Sequence, residues 1–432
     1  MKINSYSLGC KVNTYETEAV VQTFVKNGFE IVDFGTACDV TIINTCSITE
    51  VSDSKSRKII RQALRANPHA IIAVMGCYSQ LQAEEIKKIP GVSIIIGTKH
   101  RDQLFSMVMD VLKSKQQIIN IEDNRHYASY EELKVSRFIN KTRSFVKIED
   151  GCDNFCSYCT IPYARGRVRS RDKTDIINEI KALTQQNIQE IVLTGINTGS
   201  YGKDLLNYRL VDLLIDIINE VPNVGRIRIS SIELKELSDE LLSFIYQNKK
   251  YFCNHLHIPL QGGIDKILTK MNRKYTLREY QNRINEIRFL FPKINITTDI
   301  MVGFNGETDE DFNIICENIR AMKFGEMHVF PYSPRPLTAS YHFLDPVDSV
   351  SKNRRVKEML DINNELAVAY RKQFLNEVLE VLVEKCENGQ FLGHSSEYLT
   401  VIGKGLVDVN TMLKVKIIDA SYPNCKGVID EL

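Results

Sequence analysis

The residues best suited to chemistry are three cysteines in DGCDNFCSYC. Cys152, Cys156 and Cys159 are spaced C-x3-C-x2-C directly after a strand-like run, SFVKIED, in a loop opened by Gly151. Three thiolates on so short a loop point at a common centre. Three protein ligands on a four-iron cluster leave one iron open to an exogenous group, as a catalytic zinc keeps one position vacant. By spacing alone, a zinc site borrowing Cys253 or a histidine as fourth ligand stays open. A second set is dispersed: Cys10 in SLGCKVNTYE, Cys46 in INTCSIT and Cys77 in MGCYSQ. Each follows a predicted strand and precedes a predicted helix. In an open parallel sheet such positions share the carboxyl edge where ligands bind, and nearby helix N-termini favour thiolates. One strand-end cysteine reads as a small buried hydrophobe; three at equivalent edges read as ligands. Cys38, Cys253, Cys316, Cys386 and Cys425 lack this placement and are expected in core or surface.

The elements that must position these thiols alternate. From residue 1 to 120, strand-like runs (INSYS, VTIINT, AIIAVM, SIIIG) separate helix-like ones, the rhythm of a parallel α/β domain. Residues 121–143, with Tyr127 and Tyr130, are polar, lack a period and read as a linker. From 144 to 370 the alternation resumes (SFVKIED, EIVLTG, RIRISSI, HLHIPL, INITTDIMVG, EMHVFPYS), which predicts a full or partial (β/α) barrel, followed by a long helix over about Val350 to Gln373. Residues 371–432 switch to short β-rich runs between Gly and Asn turns, which predicts a small antiparallel β-barrel.

Composition narrows the class. A 432-residue chain with 43% apolar residues builds ordinary cores, and 55 basic against 54 acidic residues exclude any argument from global charge to a polyanionic partner. The start MKINSYSLGC has no basic-then-apolar leader, and no run approaches the ~18 apolar residues of a membrane span, so a cytoplasmic protein is expected. Eleven cysteines, an odd number, in a reducing compartment favour cluster ligation over disulfides.

C-x3-C-x2-C with Tyr158 before its last cysteine resembles the signature of radical S-adenosylmethionine enzymes. With the N-terminal cysteine set and the C-terminal β-rich segment, the whole chain resembles the methylthiotransferase family. That resemblance implies an N-terminal parallel α/β domain carrying an auxiliary cluster, a central radical-SAM partial (β/α) barrel and a small TRAM-like antiparallel β-barrel. It implies two 4Fe-4S clusters and S-adenosyl-L-methionine: Cys152, Cys156 and Cys159 would hold the radical-generating cluster, and Cys10, Cys46 and Cys77 the sulfur-bearing one. GCKVNTYE, INTCSIT and GCYSQ look most like the branch acting on threonylcarbamoyl-adenosine of tRNA, the MtaB type. The isopentenyl-adenosine branch usually reads GCQMN then GCMAQ, and the ribosomal-protein branch GCPKN. The implied reaction converts N6-threonylcarbamoyladenosine at tRNA position 37 to its 2-methylthio derivative by radical C–H activation. The alternatives are the other two branches, or a non-catalytic iron–sulfur RNA-binding or electron-transfer protein; the glycine-rich segments argue against the last, because a passive carrier needs no cofactor pocket.

The resemblance extends through LTGINTGSYG, RISSIE, HIPLQGG with MNRKYT, TDIMVGFNGETDEDF and HVFPYSPR. It places Thr194 and Gly195 at the cofactor's methionine part, Ser231 and Glu233 near its ribose, and Gly303, Gly306 and Glu307 near its adenine, with Gln261 in the same pocket. Strand-end glycines let backbone approach a flat ligand. Two departures are Gly262, where the family has serine in PLQSG, and Pro336 with Leu337 after Arg335, where it has glycine-threonine. No general base is assignable from the sequence.

For RNA, Arg165, Arg167, Arg169 and Arg171 alternate after the cluster loop, which predicts four guanidiniums on one side of an extended segment. Arg57, Arg61 and Arg65 recur every four residues, one helix face. Expected partners are the tRNA anticodon stem-loop, an electron donor such as a flavodoxin or ferredoxin, and a sulfur donor, with no membrane. The C-terminal segment carries slightly more acid than base, so an RNA role there rests on shape and side chains such as Tyr398.

Overall fold

The computed structural model describes residues 1–124, 129–135 and 142–430; Tyr127 and the remainder of the predicted linker lie outside them. The first strands, Lys2–Ser7, Val40–Thr45 and Ile71–Gly76, are adjacent and parallel in a six-stranded sheet completed by Glu30–Ile31, Val92–Ile96 and Ile118–Asn120. Val40–Thr45 and Ile71–Gly76 are buried throughout, as expected of central strands covered on both faces. Helix Lys11–Lys26 packs on the sheet through Val20, Val21 and Phe24.

The central body has two three-stranded parallel sheets, Arg143–Lys147, Glu190–Thr194 and Arg226–Ile229, then His255–His257, Asn295–Val302 and Glu326–Pro331. Bridges Ile227 to Phe252 and Ser231 to His257 join them into one six-stranded arc, a partial barrel. Strand alternation sorts the side chains: Ile296, Ile300 and Val302 enter the core under the helices, whereas Thr297 and Asp299 face the lumen. Thr276 with Glu279 and Thr308 with Asp311 form capping boxes that start the helices bounding the last strands. Helix Ser349–Lys372 closes the arc through Met359, Ile362 and Leu366.

The last five strands, Val378–Glu387, Gln390–Ser395, Thr400–Lys404, Met412–Asp419 and Asn424–Ile429, form a closed barrel around Val381, Val383, Phe391, Val401 and Val415. Its loop 395–398 plugs the N-terminal mouth of the central arc. Arg226 and Arg228 donate to the carbonyls of His394, Ser395 and Ser396, and Tyr398 stacks between His255 and His394 at 4.9 and 5.2 Å. Tyr398 is therefore committed to this junction rather than to an outer RNA-facing surface. The described part of the predicted linker is likewise packed: Leu133 and Val135 are buried, and Glu131 and Glu132 pair with Arg101 and Arg171.

Candidate active site

Three loops at one sheet edge are laced together around the dispersed cysteines. Asn13 donates through Nδ2 to the carbonyls of Leu8 and Thr45, at 2.8 and 3.0 Å, and Thr45 Oγ1 bonds the Met75 carbonyl and the Ser79 amide. Cys10 immediately precedes helix Lys11–Lys26, Cys46 follows its strand, and Cys77 opens the short helix Cys77–Leu81. Two glycines make the approach possible: a Cβ on Gly9 would lie 2.9 Å from Cys46 Cβ, and one on Gly76, where φ is +102°, 2.2 Å from Asn44 Oδ1. The thiols feel one another: burial, then Cys77 and Cys10, push the Cys46 thiol up to about 12. A group held this close to other thiols and kept from water ionises only when a metal takes the charge.

The local set is braced from the far side of the arc. Gly151 has φ of +88° and a Cβ there would collide with the Arg167 carbonyl, so only glycine opens this loop. Ser157 bonds the carbonyls of Met271 and Lys270, and Asn272 donates to the Phe155 carbonyl. Arg273, absent from the sequence expectations, donates to Cys156 Sγ at 3.4 Å and to the Pro259 carbonyl at 3.0 Å, and its guanidinium pairs with Glu233. Burial and then Cys156 push the Cys159 thiol up to about 12, so this trio also suits a metal that displaces protons.

Around the lumen, Thr194 is buried at the end of its strand and Tyr158 packs edge-on to Phe304. A Cβ on Gly195 would meet Glu149 Oε1 at 2.1 Å, and that carboxylate accepts the Asn197 amide at 2.5 Å. Burial, with Asp150 adjacent, raises Glu149 to about 8. Ser231 bridges to His257. Gln261 holds a positive φ of 70° and bonds Asp299. Gly303 and Gly306 both take positive φ, so these two glycines are conformationally required. Glu307 turns inward to accept the Gly303 amide at 2.9 Å and Arg355 at 2.7 Å; it braces that loop. Two features escaped the sequence. Lys11 reaches Ser230 Oγ at 3.5 Å, and Asp299 lies 3.4 Å from His257 and 3.1 Å from His328. Burial opposes ionisation of Asp299, but the two imidazoles outweigh it and hold the carboxyl well below its usual range.

The arginine ladder is corrected. Arg165 ends a short helix and is buried, bonding Cys77 Sγ at 3.4 Å, Asn13, Glu16 and Asp150. Arg169 is buried against the Arg165 and Arg167 carbonyls, and Arg171 against Glu132, Glu179 and Tyr15. Carboxylates from four segments absorb these charges, and only Arg167, lying over Phe155 and 3.3 Å from Asp153, stays exposed. On helix Glu50–Ala66, Arg61 and Arg65 are exposed, while Arg57 donates to Tyr78. The buried arginines build the seam between the two bodies. Glu16 accepts from Arg101 at 2.5 Å and from Lys147 and Arg165 at 2.8 Å; Arg335 reaches back to Ser47 and Asp53; and Thr160, beside Cys159, touches the carbonyl of Ser47, beside Cys46. The two cysteine sets thus flank one seam.

The partial barrel with a three-cysteine loop defines a radical S-adenosylmethionine protein: residues 146–319 match the Radical SAM superfamily, and residues 2–97 match the Uncharacterized protein family UPF0004. The chain is 42% identical to Threonylcarbamoyladenosine tRNA methylthiotransferase MtaB of Bacillus subtilis (strain 168), over 98% of this chain and 95% of that one. It is 32% identical to tRNA-2-methylthio-N(6)-dimethylallyladenosine synthase of Carboxydothermus hydrogenoformans, over 98% and 97%. In fold it is similar to the radical S-adenosylmethionine methyltransferase TsrM from Kitasatospora setae, with a TM-score of 0.57 at 13% identity, covering 78% of this chain and 76% of that one. The chain belongs to the methylthiotransferase family of radical S-adenosylmethionine enzymes. Membership implies a 4Fe-4S cluster and S-adenosylmethionine. Among the described residues no helix is long and apolar enough to cross a membrane.

Proposed function

We propose that this chain is a tRNA methylthiotransferase that replaces hydrogen at carbon 2 of N6-threonylcarbamoyladenosine, at tRNA position 37, with a methylthio group. The observation that carries the reading is the pair of cysteine sets on either side of one seam, joined through Thr160 and Ser47 and through Arg165 and Cys77. Cys152, Cys156 and Cys159 would hold the cluster that supplies, with S-adenosylmethionine, the hydrogen-abstracting radical; Cys10, Cys46 and Cys77 would hold a second cluster that presents sulfur. Arg273 neutralises thiolate charge at Cys156 and fixes Glu233, beside the strand end assigned to the cofactor's ribose. Gly195 lets Glu149 pack against the strand end assigned to the cofactor, Gly303 and Gly306 let Lys352 and Lys270 close on the loop assigned to its adenine, and Glu307 with Arg355 holds that loop. The His257–Asp299–His328 cluster can hold a proton in the lumen.

The lumen also bears on the choice of branch. Lys11, whose partner there is the neutral Ser230 hydroxyl, suits a charged N6 substituent better than an isoprenoid one, which brings no counter-charge to the ammonium. Arg61, Arg65 and Arg167 remain to meet phosphates of the anticodon stem-loop. An external electron donor and a sulfur donor complete the reaction, and the enzyme works in the cytoplasm. The test is mass spectrometry of tRNA nucleosides from cells with and without the gene. Loss of the 2-methylthio derivative with persistence of the unthiolated nucleoside is expected; an unchanged tRNA profile overturns the reading.

A further inference from the structure

We infer that Lys11 is the specificity residue that binds the carboxylate of the N6-threonylcarbamoyl substituent, its ammonium forming a charge-assisted hydrogen bond inside the barrel lumen. The inference rests on the function proposed above and names which group of the substrate meets which group of the chain.

The argument is one of charge matching. Lys11 begins helix Lys11–Lys26 immediately after Cys10, and its side chain crosses the seam to Ser230 Oγ, 3.5 Å away. The other cations on this side of the lumen are answered by carboxylates. Arg143 pairs with Glu384 at 2.8 Å, Arg226 and Arg228 with Glu190 at 2.6 and 2.7 Å, and His257 and His328 share Asp299. Lys11 has no carboxylate within 4.0 Å among the described residues; burial, and then the charges of Arg228 and Arg143, act against its own, with Glu190 farther off favouring it. Arg226 and Arg228 share Glu190 and are further satisfied by the His394, Ser395 and Ser396 carbonyls, Asp299 is taken by two imidazoles, and Lys11 is left with a neutral partner, the Ser230 hydroxyl. A partly buried ammonium pressed by like charges is relieved by a monoanion that brings hydrogen-bond acceptors with it. A threonylcarbamoyl group carries one carboxylate at the end of its N6 chain; an isoprenoid group carries none.

Position fits as well as charge. The turn that presents Cys10 also presents Lys11, so the thiol set assigned to sulfur and the ammonium are fixed to one another by a single peptide step. N6 and carbon 2 belong to the same flat ring, so gripping the N6 substituent from this turn orients the carbon 2 edge relative to the sulfur-bearing set. Lysine's single charge on a flexible stem suits one carboxylate at the end of a short chain.

The experiment uses the cluster-loaded full chain, as wild type, Lys11→Gln and Lys11→Arg. The probes are an anticodon stem-loop RNA bearing threonylcarbamoyl-adenosine as the free acid and the same RNA with that carboxylate as its methyl ester. Equilibrium binding is read without reductant, and kcat/KM with it; iron content shows that each variant is loaded. Wild type is expected to prefer the acid over the ester by about tenfold, the size of one hydrogen bond to a charged group. Lys11→Gln brings the ratio close to one by weakening the acid alone, and Lys11→Arg restores part of it. The inference is overturned if Lys11→Gln keeps the wild-type ratio. It is equally overturned if acid and ester weaken together, which assigns Lys11 to a phosphate, or if only S-adenosylmethionine binding falls, which assigns it to the cofactor. Failure of the parent reading looks different: wild type then makes no methylthio product on either RNA.

Discussion

Cys152, Cys156 and Cys159 share one loop, whereas Cys10, Cys46 and Cys77 come from three strands and meet only when the sheet is built. The first set is closed by short-range bonds: the Cys159 amide to the Cys156 carbonyl, and the Cys152 amide to the Gly166 carbonyl. The second needs adjacent parallel strands, Gly9, Gly76 and the Asn13 clamp. The local site keeps its ligands on one loop, braced from the far side of the arc by Lys270, Met271, Asn272 and Arg273, whereas the distributed site reports on the integrity of its whole domain. Separating the two gives the largest expected effects. Cys156→Ala is expected to abolish both reductive cleavage of S-adenosylmethionine and methylthio transfer. Cys46→Ala is expected to keep the cleavage and abolish the transfer, each variant losing about half its iron if the two clusters are alike. Iron analysis with product analysis on the purified variants checks this; loss of cleavage in both would merge the two sites into one.

The seam is where the sites become interdependent. Arg165 is buried, touches Cys77 and satisfies Glu16 and Asp150, and burial of Glu16 is outweighed by Arg101, Arg165 and Lys147, so its carboxyl stays far below the usual range. Removing one member of such a network leaves charge uncompensated. Arg165→Met is expected to cost about 3–5 kcal/mol in chemical denaturation, with iron lost first from the distributed set. Iron lost equally from both sets would show that the loop site leans on the seam as much as the sheet site does.

The same contrast explains what was readable beforehand. The loop set announces itself in eight residues, and the strand-end set is readable because strand–turn–helix periodicity fixes which edge each cysteine occupies. Side-chain partners are not periodic. The alternation of Arg165, Arg167, Arg169 and Arg171 suggested a phosphate face, but two neutralising groups, Glu16 and Glu132, come from segments remote in sequence, and the third, Glu179, turns back from the helix that follows. Tyr398 was expected to meet RNA and instead stacks in the mouth of the arc, since nothing in a short β run says which neighbour it docks on. Lys11 and Arg273 stood inside quoted motifs, yet their direction depends on the lumen, which only the closed arc defines.

Arg273 sharpens the comparison from the loop side. Its guanidinium lies 3.4 Å from Cys156 Sγ, whereas Arg165 plays the matching part for Cys77 at the same distance. A donor to a ligating sulfur stabilises the more negative, reduced state and so raises a cluster's potential. Arg273→Met is expected to shift the loop cluster's potential downward, so that at a fixed donor potential less of it is reduced and cleavage turnover falls, about tenfold for a shift of about 60 mV, while the distributed site keeps its potential. Redox titration followed by electron paramagnetic resonance distinguishes the two; equal shifts at both sites would make the effect one of global charge.

The smallest effect expected is at Glu149, whose charge acts on Cys152 of the loop set and whose carboxyl accepts the Asn197 amide beside Gly195. Burial and the adjacent Asp150 raise its carboxyl to about 8, against 4.5 unperturbed. Below the unfolded value, both states carry the proton and stability is unaffected. Between about 4.5 and 8 the unfolded chain releases the proton while the folded chain keeps it, so stability falls as pH rises, by at most about 1.4 kcal/mol per pH unit. Glutamine preserves the acceptor for the Asn197 amide and removes the titration. Glu149→Gln is therefore expected to gain on the wild type steadily between pH 6 and 8, measured by chemical denaturation of the loaded protein. A difference independent of pH over that range would mean that Glu149 is already ionised in the folded chain, and that the loop set faces one more negative charge than the distributed set does.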